Sequence, residues 1–92
     1  MQVELRFFAN FREAVGQKIL EWEYDAEEVP VGEVLEELVE EYPELDIFES
    51  KGELREFLNI MKNGRDVNLL DGLETSLEDG DKLSLFPPVA GG

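Results

Sequence analysis

The sequence predicts an α+β roll, on three observations: alternating apolar segments near both ends, one long amphipathic helix between them, and turn dipeptides where strands must reverse. One helix can cover only one face of a sheet. Ninety-two residues suffice for one small domain and are too few for two. A chain of this size buries roughly 60–65% of the surface it exposes when unfolded, so its core must be closely patterned.

Val3, Leu5 and Phe7 share one phase of the first segment and Glu4, Arg6 and Phe8 the other, the pattern of a strand with one buried face. A turn of helix over Asn10–Val15 closes at Gly16. Residues 17–24 alternate again, with Leu20, Trp22 and Tyr24 together and Glu21 and Glu23 opposite, so the two strands read as an antiparallel hairpin with an elaborated loop.

The helix runs from about Pro30 to Tyr42. Val31, Val34, Leu35, Leu38, Val39 and Tyr42 recur at helical spacing as one core-facing stripe, and Glu33, Glu36, Glu37, Glu40 and Glu41 cover the remainder. Pro30 suits a first turn, where its missing N–H would be unpaired anyway, and Pro43 forbids continuation.

Residues 44–56, with Leu45, Ile47 and Phe48 ahead of Lys51-Gly52, read as an irregular or short helical segment ending at a turn. Leu58 and Ile60 belong to a strand reaching Asn63-Gly64, the favoured type I′ hairpin dipeptide, and Arg65–Leu69 return as its partner. Lys62 and Arg65 flank that turn as ordinary turn charges. A loop over Leu70–Glu78 leads to Asp79-Gly80-Asp81, which lacks the ligand spacing of an EF-hand and reads as a plain turn into a last strand with Leu83 and Leu85 inward. The first and last strands, both apolar, are expected at the centre of the sheet.

Histidine and cysteine are both absent. That removes the imidazole base, the thiolate nucleophile and the ordinary zinc site. Ser50, Ser76 and Ser84 lie outside any G-x-S-x-G elbow, and neither G-x-G-x-x-G nor a P-loop occurs. No catalytic residue, metal ligand or bound cofactor is assigned, and a self-contained enzyme is not expected. The net charge of −15 repels phosphate backbones and anionic membranes, so neither DNA nor a membrane is an expected partner. A basic protein would complement it, although glutamates on one helix face read first as a solvated face. The amino terminus is broken by charge and no apolar run approaches bilayer length, so the expectation is a soluble cytoplasmic protein.

The last strand runs through Leu85-Phe86 into Pro87-Pro88-Val89-Ala90-Gly91-Gly92. Two prolines cannot donate to a ladder, so they end the pairing and stiffen an extended exit; two glycines then make the thinnest terminus available. Six extended residues reach at most ~20 Å. The division expected is a domain over 1–86 and a flexible C-terminal Gly-Gly tail over 87–92. Such a tail can thread a terminal carboxylate into another protein's active site. A carboxylate is a poor acyl donor and must first be activated, for instance as an adenylate formed with ATP. Glycine-rich termini often fray, but fraying gives no reason for rigid prolines between strand and glycines.

The combination of Leu5-Arg6-Phe7-Phe8-Ala9, Asp79-Gly80-Asp81 and Phe86-Pro87-Pro88-Val89-Ala90-Gly91-Gly92 resembles the small subunit of molybdopterin synthase (MoaD) and the archaeal small modifier proteins (SAMP) related to it. The resemblance covers the whole chain. It implies a ubiquitin-like β-grasp fold, a mixed sheet of about four to five strands packed on one main helix. It also implies a cycle in which a ubiquitin-activating-type enzyme uses ATP to adenylate Gly92, after which sulfur transfer leaves a thiocarboxylate there. In MoaD the tail enters the large subunit, MoaE, and supplies the sulfur of molybdopterin. In the archaeal modifiers the same terminus forms isopeptide bonds with target lysines or serves tRNA thiolation. The thiamine-pathway carrier ThiS is usually shorter, and residues 44–56 tilt against it.

Phe8 and Phe86 are out of phase with the buried sets on strands expected to be neighbours, with Met61 beside them. In the MoaD family this face docks the activating enzyme and the synthase subunit. With Pro87, Pro88 and Val89, these residues are the expected partner contacts, and Gly91 and Gly92 the reacting end. Lys62, at the edge of that patch, departs from the apolar residue its bacterial relatives tend to carry. The competing reading is a non-covalent β-grasp interaction module with an incidental tail.

Overall fold

The computed structural model describes residues 1–50 and 52–88. The first strand, β1 (Gln2–Phe7), buries Val3, Leu5 and Phe7 completely or nearly so. A helical turn, α1 (Asn10–Val15), drops Phe11 and Val15 into the core and is stopped by Gly16, whose φ of 84° lets its N–H return to the Arg12 carbonyl. Strand β2 (Ile19–Glu23) then runs antiparallel to β1.

A short strand, β3 (Glu28–Pro30), leads into the main helix, α2 (Val31–Glu41). Pro30 caps it from an extended conformation, and the Val31 N–H, unpaired within the helix, donates to the Thr75 carbonyl at 2.8 Å. Val31, Val34, Leu35 and Leu38 are buried, while Val39 and Tyr42 pack on the margin.

The described residues of 44–56 carry no helix: β4 (Phe48–Ser50) and β5 (Glu53–Leu54) form a small bulged hairpin instead. Strand β6 (Asn59–Lys62) reaches Asn63-Gly64, whose φ values of 49° and 83° are those of a type I′ turn. Its partner β7 is confined to Arg65–Asp66, because Val67–Leu69 coils into a 3₁₀ turn that buries Val67. The expected loop over Leu70–Glu78 ends in a strand, β8 (Ser76–Glu78), paired with β3 through the buried couple Val29 and Leu77. The last strand is β9 (Lys82–Phe86), with Leu83 and Leu85 buried.

The main sheet is five-stranded and mixed, in the order β2-β1-β9-β6-β7. Strands β1 and β9 are parallel neighbours at its centre, and the other pairings are antiparallel. Its inner face joins the α2 stripe, Leu45, Ile47, Val67 and Leu77 in one apolar cluster. Fully burying a Leu, Ile, Val or Phe contributes about 1.5–3 kcal/mol, so this cluster is what holds the roll together.

Candidate functional site

Paired strands present directly opposed residues on the same face, so register maps the outer face in rows. The row nearest the C-terminal end of β9 holds Phe86 opposite Asn59, with Phe8 one step beyond the register pair of Phe7 and Leu85. The next row reads Ile19, Arg6, Ser84, Met61 and Asp66 across all five strands. Behind it lie Glu21, Glu4 and Lys82.

Phe8 and Phe86 stack with ring centroids 4.2 Å apart and planes 12° from parallel. Each ring covers one face of the other and stays half-buried. Met61, also half-buried, is a row away, beside Ser84. The Arg6 guanidinium donates to the Glu4 carboxylate, so its charge is turned toward the polar end and the aromatic end stays apolar. Ile19, 45% exposed, extends the apolar strip on the β2 side. Sequence reading missed it, though its shared phase with Glu21 and Glu23 marked it as outward-facing.

Beyond Phe86 the chain leaves the sheet through Pro87, which is buried, and Pro88, which is exposed. Val89, Gly91 and Gly92, assigned from sequence to partner contact and to the reacting end, lie outside the described residues.

The opposite end of β9 is closed by a polar network. The Asp81 carboxylate accepts from the Glu78 N–H at 2.7 Å and the Asn63 side-chain amide at 2.9 Å, and it lies 3.7 Å from the Lys62 ammonium. Asn63 in turn accepts from the Lys82 N–H. Burial raises the Asp81 pKa, but the Glu78 and Asn63 donors and the Lys62 charge outweigh it and hold the carboxyl below its ordinary value. Lys62 is therefore not at the rim of the aromatic patch. It pairs with Leu83, in the inward phase, and donates to the Ser76 carbonyl at 2.7 Å. A lysine at this position ties the hairpin to β8.

Between β2 and α2 lies an open cleft of about 710 Å³ lined by Trp22, Tyr24, Glu21, Glu37 and Glu40 among others. The Tyr24 hydroxyl donates to Glu37 at 2.6 Å. Burial, then that carboxylate, then Glu33 push the phenol well above its ordinary pKa. Among the described residues, no three acidic side chains are gathered as metal ligands would be.

A mixed five-stranded sheet, one main helix and a terminal exit beside an outward aromatic pair define a ubiquitin-like β-grasp protein. The model of the ThiS family matches residues 5–92, and the chain belongs to that family. The family bears the name of the thiamine-pathway carrier, the member that residues 44–56 tilted against. The chain is 52% identical, over the full length of both, to small archaeal modifier protein 3 of Haloferax volcanii. It is 40% identical to a putative sulfur carrier protein of Archaeoglobus fulgidus, across 76% of this chain and 82% of that one.

Among solved structures, SAMP1 of Haloferax volcanii superposes with a TM-score of 0.83 at 33% identity, covering both chains fully. A putative molybdopterin converting factor subunit 1 of Pyrococcus furiosus gives 0.74 at 28%, covering 97% of this chain and 99% of that one. The BexX/CysO complex of Amycolatopsis orientalis gives 0.79 at 27%, covering 98% and 99%. The chain thus stands among ubiquitin-like sulfur carriers and modifiers, small proteins that work with partner proteins.

Proposed function

We propose that this chain is a co-substrate whose Gly92 carboxylate is adenylated by a ubiquitin-activating-type enzyme. The carboxylate attacks the α-phosphorus of ATP and displaces pyrophosphate, giving an acyl adenylate. Hydrosulfide then displaces AMP and leaves a thiocarboxylate, or a lysine amine displaces AMP and leaves an isopeptide bond. Both outcomes start from one activated end. The thiocarboxylate suits sulfur delivery to a MoaE-like synthase subunit or to tRNA thiolation, and the isopeptide suits a modifier. The chain supplies no catalytic group and binds no cofactor of its own; ATP belongs to the activating enzyme.

The observation that carries this reading is the exit itself: the central strand of the sheet ends at Phe86 and continues at once into Pro87-Pro88, beside a solvent-facing aromatic pair. A partner that docks on Phe8, Phe86 and Met61 is thereby placed over the start of the tail. Similarity to archaeal modifiers and sulfur carriers supports it. Intact mass of the protein isolated from its own cells, with and without thiol-specific alkylation, tests it. The expected result is a fraction carrying one sulfur in place of one oxygen, mapped to the peptide ending in Gly92. With a matched activating enzyme, ATP and a sulfur donor, failure to form either adenylate or thiocarboxylate would promote the non-covalent interaction module.

A further inference from the structure

Phe57 stands apart from the patch described above. It is 81% exposed on a surface otherwise rich in carboxylates, and its backbone lies at φ 66°. A bulky side chain in the left-handed region is strained, a strain that glycine would avoid and asparagine would reduce. With its ring in solvent, burial does not offset that strain.

Its place relative to the tail gives a reason for it. Asn59 pairs with Phe86 and Ile60 with Leu85, so continuing the antiparallel register by two residues sets Phe57 opposite Pro88. Pro88 has no N–H to extend the ladder. Phe57 and Pro88 instead line a shallow recess of about 380 Å³ with Glu49, Arg55 and Glu56. Arg55 is engaged by Asp46, and among the described residues the recess is also edged by the carboxylates of Glu49 and Glu56. Strand order puts Phe8 on one flank of β9 and Phe57, two residues ahead of β6, on the other. The two aromatics straddle the exit.

Four residues bring the chain from Pro88 to Gly92, at most about 14 Å at full extension. A protein that presents a reacting centre to Gly92 therefore closes around Pro88, and Phe57 lies within that contact. We propose that Phe57 is a positioning residue for tail uptake. Its ring seats in an apolar pocket, rimmed by lysine or arginine side chains, on the adenylating enzyme that receives the tail. The inference rests on the carrier reading given above.

The test uses the full chain, the purified ubiquitin-activating-type enzyme of the source organism, ATP and labelled pyrophosphate, with ATP–pyrophosphate exchange followed as chain concentration is varied. Phe57→Asn tolerates the left-handed backbone, so thermal stability is unchanged or higher. Its KM is expected to rise at least about tenfold with kcat nearly unchanged, and Phe57→Tyr returns it to within about twofold. Glu56→Lys is expected to raise KM about threefold at low salt and less at high salt. A wild-type KM in Phe57→Asn, or a loss confined to kcat, overturns the assignment while leaving the carrier reading intact. An unchanged KM in Glu56→Lys overturns the basic rim. If the wild-type chain itself supports no exchange, the carrier reading fails and this inference falls with it.

Discussion

The two ends of β9 are built on opposite principles. At its start, Asp81, Asn63, Lys62 and Ser76 bond to one another and to neighbouring backbone, and each polar group finds its partner within the chain. At its finish, Phe8 and Phe86 stack but remain half-open, Ile19 and Phe57 face solvent, and the ladder ends at Phe86 ahead of Pro87-Pro88. One end is committed to the fold; the other keeps apolar surface that a protein optimised only for stability would cover. The difference teaches where to separate folding from function by mutation. Changes at the start of β9 should alter stability and spare partner chemistry, and changes at its finish should do the reverse.

The largest effect is expected at the tail. Adding one alanine after Gly92 moves the carboxylate by about 3.5 Å, and Gly91→Val puts a branched side chain one residue before it. Acyl transfer needs reacting atoms about 3–3.5 Å apart and aligned, so adenylation should drop by about a hundredfold or more in both. Thermal denaturation should move by no more than the ~0.5 kcal/mol typical of surface changes. Normal adenylation in both variants would erase the functional half of the comparison.

A smaller effect is expected at the aromatic pair. Phe8→Ser and Phe86→Ser each remove one ring of the stack and should weaken docking to the activating enzyme by about 2 kcal/mol, roughly thirtyfold. Each variant should still unfold cooperatively, because neither ring belongs to the buried cluster. Titration calorimetry together with urea denaturation separates the two; unfolding of both variants would show that the rings serve the core.

The smallest effect lies at the start of the strand and should be purely structural. Asp81→Ala strands donors at Glu78 and Asn63 and should cost about 1–2 kcal/mol without changing adenylation kinetics. Because the folded-state pKa of Asp81 lies below its ordinary value, its contribution is whole above about pH 4. It is lost as pH falls through the lowered value. The stability gap between wild type and Asp81→Ala, measured by urea denaturation, should therefore narrow on acidification. A gap that widened in acid would reverse the assigned sign.

Elements with a clear period were legible in the sequence. The alternation of Val3, Leu5 and Phe7, and of Leu83 and Leu85, identified two strands and their central place, and the stripe from Val31 to Leu38 identified the helix. Short pairings were not legible. Strands β3 and β8 share one buried couple, Val29 and Leu77, too little for a period to show. In the β4–β5 hairpin, Phe48 and Leu54 are only half-buried and Glu49, Ser50 and Glu53 are exposed, so its composition resembles that of a loop. The patch was partly legible because Phe8 and Phe86 break phase with apolar neighbours. Phe57 has no phase to break: its positive φ follows from the turn into β6, which no local residue pattern signals. Lys62 was misplaced although the alternation that puts Ile60 inward and Met61 outward already gave it the inward phase; the charge on its side chain argued against burial, and the structure resolves that by bonding it to the Ser76 carbonyl.

The parallel pairing of β1 with β9 has a consequence for synthesis. Phe7 and its register partner Leu85 stand 78 positions apart, so at about 5–20 residues per second β1 waits some 4–16 s for the strand that completes the sheet. A chain interrupted before Lys82 lacks the middle of its sheet and cannot present Phe8 against a stacked neighbour. On the proposed reading, such products lack the docking surface as well as the reacting end, and would not compete for an enzyme that recognises both. The fold then reports the arrival of β9 before the tail is put to use.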